Sequence, residues 1–250
     1  MSSVPQPSDP WLISQDRPTG MTPKAGHRSD SLKVEIIEGI EPLDAQIGVF
    51  PKKTVPAALY DALFGQLAPT AAEAEAAGGE PSAVQPIKTY AILDAAKITN
   101  LPELLEDSGL EHRCLFKGTA YDDLKNVAPW LVRLEEGNTF TRNLFTRSDA
   151  PWHLWDNEPG IYARSRGSLD DMWKHFRKFT KIQDETGKWF YFRFWEPRAA
   201  HRTFDALPLT GVRSLFANVK EVYAVTVMPS SVVRRFHLTP AIQEAPVPCP

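Results

Sequence analysis

The chain has 250 residues, 42% of them hydrophobic and 24% charged, with a formal net charge of −3. That is enough for one substantial core, or a core and a small lobe, and it excludes a wholly disordered chain. A slightly negative chain offers no general attraction to nucleic acid or to anionic membranes.

The two cysteines, Cys114 and Cys249, suggest neither a disulfide framework nor a zinc site. The first residues lack the pattern of a secretory signal, and no apolar run approaches the ~20 residues of a membrane helix. A soluble, cytoplasmic protein is the expectation. Residues 1–31, rich in Ser, Pro, Gly and Asp, read as a disordered tail interrupted by Trp11, Leu12 and Ile13. Over 32–67 the sequence predicts a strand at Lys33–Ile37, a pairing partner at Gln46–Phe50, and a short helix from Thr54 or Pro56. Leu59, Leu63 and Leu67 share one face of that helix. Residues 68–86 shift to Ala, Glu, Gly and Pro and read as a flexible loop with no more than a frayed helical turn.

A core domain over 87–228 alternates strands and helices. Strand Tyr90–Ala95 is followed by helix Leu101–Ser108, ended by Gly109. Short strand Arg113–Phe116 precedes Trp130–Leu134, whose start is fixed by Pro129. A helix or broken helical turn covers Asn143–Trp155, and Ile161–Arg164 is a strand. The best helix runs from Ser168 to about Lys181. Ser168 and Asp171 have capping-box spacing, acidic residues open the helix and Lys178 and Lys181 close it. Leu169, Met172, Trp173, Phe176 and Phe179 form a stripe that faces a sheet. Lys181–Gln183 and Trp189–Trp195 read as a hairpin around Thr186-Gly187. Its second strand looks central, with Phe190, Phe192 and Phe194 on one face and Trp189, Tyr191, Arg193 and Trp195 on the other. A helix from Pro197 through Phe204, a turn at Leu215–Val219 and a strand within Glu221–Met228 follow, and 229–250 reads as an irregular C-terminal tail. The expected class is α/β bordering α+β, a mixed central β-sheet flanked by helices.

Arg193 is the anomaly, a permanent cation in an aromatic row. It needs a carboxylate, with Asp94 and Glu196 the candidates, or it is offered to the carboxylate or phosphate of a ligand. Candidate acids for an enzyme are Asp94, Asp170, Asp171 and Glu196. Candidate bases are His153, His175 and His201, with His175 read as solvated on the polar side of its helix and His153 as packing. No nucleophile elbow, His-Glu-x-x-His helix, phosphate loop or dinucleotide fingerprint is present. A hydrolase-like centre at Asp94, Arg193 and Glu196 is therefore an alternative without a motif behind it. The basic cluster is Arg164, Arg166, Lys174, Arg177, Lys178 and Lys181, of which residues 174, 177, 178 and 181 share a helix face. Such a face suits a phosphate backbone, which makes a nucleic-acid binder through 174–181 a second alternative, or an acidic protein; a plainly solvated outer face is the stronger reading.

Five segments in one order say more. They are Tyr90-Ala-Ile-Leu-Asp-Ala-Ala96, Phe116-Lys-Gly118, Ala128-Pro-Trp-Leu-Val132, the Ser-capped basic helix Ser168–Phe179, and Phe192-Arg-Phe-Trp-Glu-Pro-Arg198. Together they resemble the effector-chaperone (adaptor) family of type VI secretion, long catalogued as a domain of unknown function, over about Tyr90 to Val219. Two positions depart from that family's pattern: Trp195 stands for its Tyr and Glu196 for its Asp, both adding volume around Arg193. The resemblance implies a non-catalytic cytoplasmic protein that binds a cognate secreted effector, stabilises it and promotes its loading onto the VgrG spike. No cofactor, metal, nucleic acid or membrane is implied. Asp94, Gly118, Pro129, Ser168, Arg177, Arg193, Glu196, Pro197 and Arg198 are then structural or partner-binding. The effector face is expected from about Ala199 onward, where Phe204, Phe216 and Phe236 look exposed.

Overall fold

The computed structural model describes residues 32–183, 186–228 and 230–239. Its elements are β1 (Leu32–Glu38), α1 (Ala57–Phe64), α2 (Ala71–Ala76), β2 (Lys88–Asp94), α3 (Leu101–Ser108), β3 (His112–Cys114), α4 (Thr119–Leu124), β4 (Pro129–Leu134) and α5 (Thr139–Leu144). There follow β5 (Gly160–Ser165), α6 (Leu169–Arg177), β6 (Lys181–Gln183), β7 (Trp189–Tyr191), α7 (Pro197–Ala206), α8 (Leu209–Phe216), β8 (Glu221–Thr226) and β9 (Val232–Leu238). The readings of residues 1–31, with Trp11, and of the end of the tail, with Cys249, lie outside the described residues.

Seven strands form one sheet in the order β1-β9-β8-β5-β2-β4-β3. Helices flank it on both faces, which is the class the sequence predicts. The strand directions, expected to be mixed, are instead antiparallel at every pairing. The reason lies in β2-α3-β3, which has the order of a parallel crossover. β4 pairs with both β2 and β3 and so sits between them, and the two like-directed strands never meet.

β2 lies inside the sheet, between β5 and β4, and its alternation divides the core. Ala91 and Leu93, with Tyr162 and Tyr223, pack with Leu59 and Leu63 of α1, Leu101 and Leu105 of α3, and Phe140 and Leu144 of α5. Tyr90 and Ile92, with Ile161 and Ala163, pack with Met172 and Phe176 of α6, Phe204 of α7, and Leu215 and Phe216 of α8. A strand covered on both faces has no wet side, so it reads as a continuous apolar run and not as an alternation. Each large side chain buried this way stabilises the fold by about 2 kcal/mol. Glycine sets one spacing: a Cβ on Gly160 would lie 1.9 Å from the Ile92 carbonyl oxygen, so only glycine lets β5 approach β2 this closely.

Several expectations are corrected. Gln46–Phe50 is not a strand; β1 pairs with β9, with Val34 opposite Phe236. The supposedly irregular segment 229–250 therefore contains an inner strand, and Phe204, Phe216 and Phe236 are buried core residues. The loop 68–86 holds α2, opened by a complete capping box between Thr70 and Glu73. Trp189–Trp195 is not one long central strand. Only Trp189–Tyr191 is extended, in a separate two-stranded hairpin with β6. Phe194 and Trp195 both enter the α6-side core, which a strand's strict alternation forbids and a turn allows. α6 keeps its Ser168–Asp171 capping box but ends at Arg177, short of Lys181. No helix among the described residues is long and apolar enough to cross a membrane.

Candidate functional site

Four of the charged positions singled out in the sequence, Asp94, Arg193, Glu196 and Arg198, converge on a charged seam at one end of the inner strands. Asp94 is the last residue of β2 and is buried. Its Oδ1 accepts the Ala96 N–H at 3.0 Å, starting a short 3-10 turn. Its Oδ2 accepts from the Arg193 guanidinium at 2.5 Å and from the Trp195 indole N–H at 3.3 Å. Arg193 also lies 3.8 Å from Glu196, whose other oxygen accepts from Lys97 at 2.7 Å. Arg193 thus bridges the two carboxylates named as its candidates.

Lys97 carries the seam onward by donating to the Glu158 carbonyl at 3.0 Å. Glu158 precedes β5 with a left-handed φ of 46°, and its carboxylate is buried. Arg198 grips that carboxylate with two donors, at 2.5 and 3.0 Å, and the Val227 N–H just beyond β8 donates to it at 2.7 Å. Burial alone would raise the Glu158 carboxyl. The Arg198 and Val227 hydrogen bonds, with the charges of Arg198 and Lys97, outweigh burial and hold it below its usual range. Three strand ends are therefore tied together, those of β2, β5 and β8. Sequence reasoning missed Glu158 and Lys97. Asn157-Glu158-Pro159-Gly160 shows only as a turn, and nothing in it signals a buried carboxylate.

The segment Phe192–Arg198 is the buttress of this seam. Phe194 stacks on Phe176 of α6 at 5.6 Å and meets Trp195 edge-on at 5.4 Å. Pro197 opens α7 at its first turn, where no N–H is needed. Pro129 faces Asp94 across the β2–β4 ladder, and its carbonyl accepts the Leu115 N–H at 2.9 Å. Gly118 caps α4 with φ 60° and ψ −145°, a backbone conformation only glycine adopts readily. Ser168 caps α6. Arg177 lies over the Trp173 ring at 4.3 Å and donates to the Leu115 carbonyl at 3.1 Å.

The other candidates do not gather into a constellation. Asp170 is exposed and pairs with Lys174 at 2.6 Å and Arg113 at 2.9 Å, while Asp171 belongs to the cap. His175 is buried, not solvated. Its Nε2 donates to the Leu215 carbonyl at 2.8 Å and its Nδ1 accepts from Asn218 at 3.4 Å, and burial pushes its pKa down. Helix periodicity placed it on the polar face, but α8 covers that face. His153 meets the Ser148 hydroxyl at 2.5 Å in a surface turn. The side chain of His201 lies outside the described ones.

The basic cluster also divides. Arg164 is buried and donates to the Ala62 carbonyl at 2.5 Å and to that of Gly65, closing the end of α1. Arg166 pairs with Glu73 at 3.0 Å and bonds two further carbonyls. Lys174 is held by Asp170, whereas Lys178 and Lys181 reach solvent.

Chemically, the seam orders the chain. The two Asp94 oxygens already accept three hydrogen bonds, and Glu196 and Glu158 are each engaged by a cation. A family model described as a domain of unknown function (DUF4123) matches residues 89–213, half of the chain. No curated protein and no solved structure matches it.

Proposed function

The chain belongs to the DUF4123 family, and on that premise we propose that it is a cytoplasmic adaptor that binds a type VI secretion effector, stabilises it and promotes its loading onto the VgrG spike, without catalysis. The observation carrying this reading is the use made of the motif residues. Asp94, Arg193, Glu196 and Arg198, the groups a hydrolytic centre would draw on, pair with one another and with Trp195, Lys97 and Glu158. A family whose signature residues build a rigid scaffold leaves its surface for recognition, and recognition is what an adaptor does. The family's association with type VI effectors supports the same reading.

The test is co-expression with whichever large reading frame neighbours this gene, followed by tandem affinity purification. Stoichiometric co-elution is expected, with the partner less soluble when this chain is absent. A soluble neighbour that never co-elutes overturns the pairing.

A further inference from the structure

A cleft of about 300 Å³ lies between the hairpin β6–β7, the end of α6 and the β3–α4 link. Leu115, Phe116 and Ala120 give it an apolar floor, and the Phe116 and Tyr191 rings lie 5.4 Å apart. Trp189 stands at its rim, 62% exposed. Four cations line it, Lys117, Arg177, Lys178 and Lys181, and no carboxylate among the described residues does. Among the described residues none of the four is in an ion pair, although the chain as a whole carries a net charge of −3. Like charges gathered without counter-charges repel one another, and that repulsion is relieved when an anion enters.

We propose that this cleft is a docking site for a short acidic peptide segment carrying an aromatic or aliphatic anchor, and that the effector supplies the segment; the second clause rests on the adaptor reading above. Size and charge both point to a peptide over nucleic acid. The volume is at the low end of ligand clefts, ~300–1,000 Å³, which suits a few side chains. A phosphate backbone needs a continuing track of cations, but the track stops one helical turn back, where Asp170 neutralises both Lys174 and Arg113. A carboxylate pair flanking one apolar side chain matches lysines around an apolar floor and needs no such track.

The probe is a fluorescein-labelled peptide of alternating glutamate and phenylalanine, titrated into the full chain and followed by anisotropy. A glutamine-for-glutamate peptide and an oligothymidylate serve as comparisons. The acidic peptide is expected to bind, to weaken with added salt, and to lose at least ~10-fold in affinity with Lys117→Glu, Lys178→Glu and Lys181→Glu combined. Trp189→Ala is expected to weaken it ~3-fold or more. These are exposed side chains, so an unchanged thermal melt separates lost binding from lost fold. Absent binding, binding the glutamine peptide equals, or binding the triple variant keeps overturns the cleft. So does an oligothymidylate that binds more tightly than the peptide and is lost in the triple variant. Effector co-purification is read separately. An effector that co-elutes as well with the triple variant overturns the effector's use of the cleft but not the adaptor function; probe binding without any co-eluting effector does the reverse.

Discussion

The seam at the end of β2 and the cleft beside β6–β7 both collect cations and aromatic rings, and they differ in what faces the charge. In the seam each cation meets a carboxylate of the same chain: Arg193 meets Asp94, Lys97 meets Glu196 and Arg198 meets Glu158. In the cleft Lys117 and Lys178 reach solvent and Lys181 lies over the Tyr191 ring at 5.2 Å, with no carboxylate among the described residues lining the cleft. A partnered charge fixes a fold, whereas an unpartnered one near the surface is available to a ligand. Asp94, Arg193, Glu196 and Arg198, which carry part of the resemblance, thus sit in the region that holds the molecule together. The cleft draws Lys117 and Lys178 from two of the motif segments as well, joined by Lys181 and Trp189 from outside them, and differs from the seam in lacking such a carboxylate among the described residues.

The largest effect is expected in the seam. Asp94→Ala leaves Arg193 and the Trp195 indole without their acceptor and should lower stability by about 3 kcal/mol in urea unfolding. A loss below ~1 kcal/mol would mean that the seam is not a structural tie, and the comparison would fail at its first half. Glu158→Gln should cost about 2 kcal/mol, since the buried Val227 N–H and Arg198 lose a charged acceptor. It also carries a pH signature. The folded pKa of Glu158 is below its ordinary 4.5, so its contribution is whole above that value and is lost as the pH falls below it. The glutamine variant should therefore show a flatter decline in stability on the acid side.

A smaller effect belongs to the opposite end of the sheet. Burial opposes ionisation of Glu73, but hydrogen bonds from Lys220, the Thr70 N–H and Arg166 hold its pKa at about 2. Glu73→Gln should cost about 1 kcal/mol at neutral pH, and the difference should vanish as the pH falls from 4.5 to about 2. Smallest of all, Lys178→Ala in the cleft should change stability by less than ~0.5 kcal/mol. A destabilisation as large as that of the seam variants would make the cleft a second scaffold and erase the contrast.

What the sequence by itself determined was local or self-announcing. Ser168 and Asp171 stand three apart and cap α6 because capping is decided within one turn. Tyr90–Ala95 read as a strand from its short, mostly apolar run, and β2 is such a strand, covered on both faces. The alternation of strands and helices gave the class, and the spaced motif segments gave the family that the match over 89–213 supports. Tertiary structure decided whatever depends on partners remote in the chain. β1 pairs with β9 some 200 residues away, so the strand status of Val232–Leu238 had no local signal. His175 is buried because α8 folds over it, and Glu158 is buried because Val227 and Arg198 close on it. The aromatic run at Trp189–Trp195 looked like one strand because a period of two shows which faces are apolar but not where the backbone turns. Only the competing claims of Asp94 on Arg193 and of the α6 core on Phe194 and Trp195 end that strand at Tyr191.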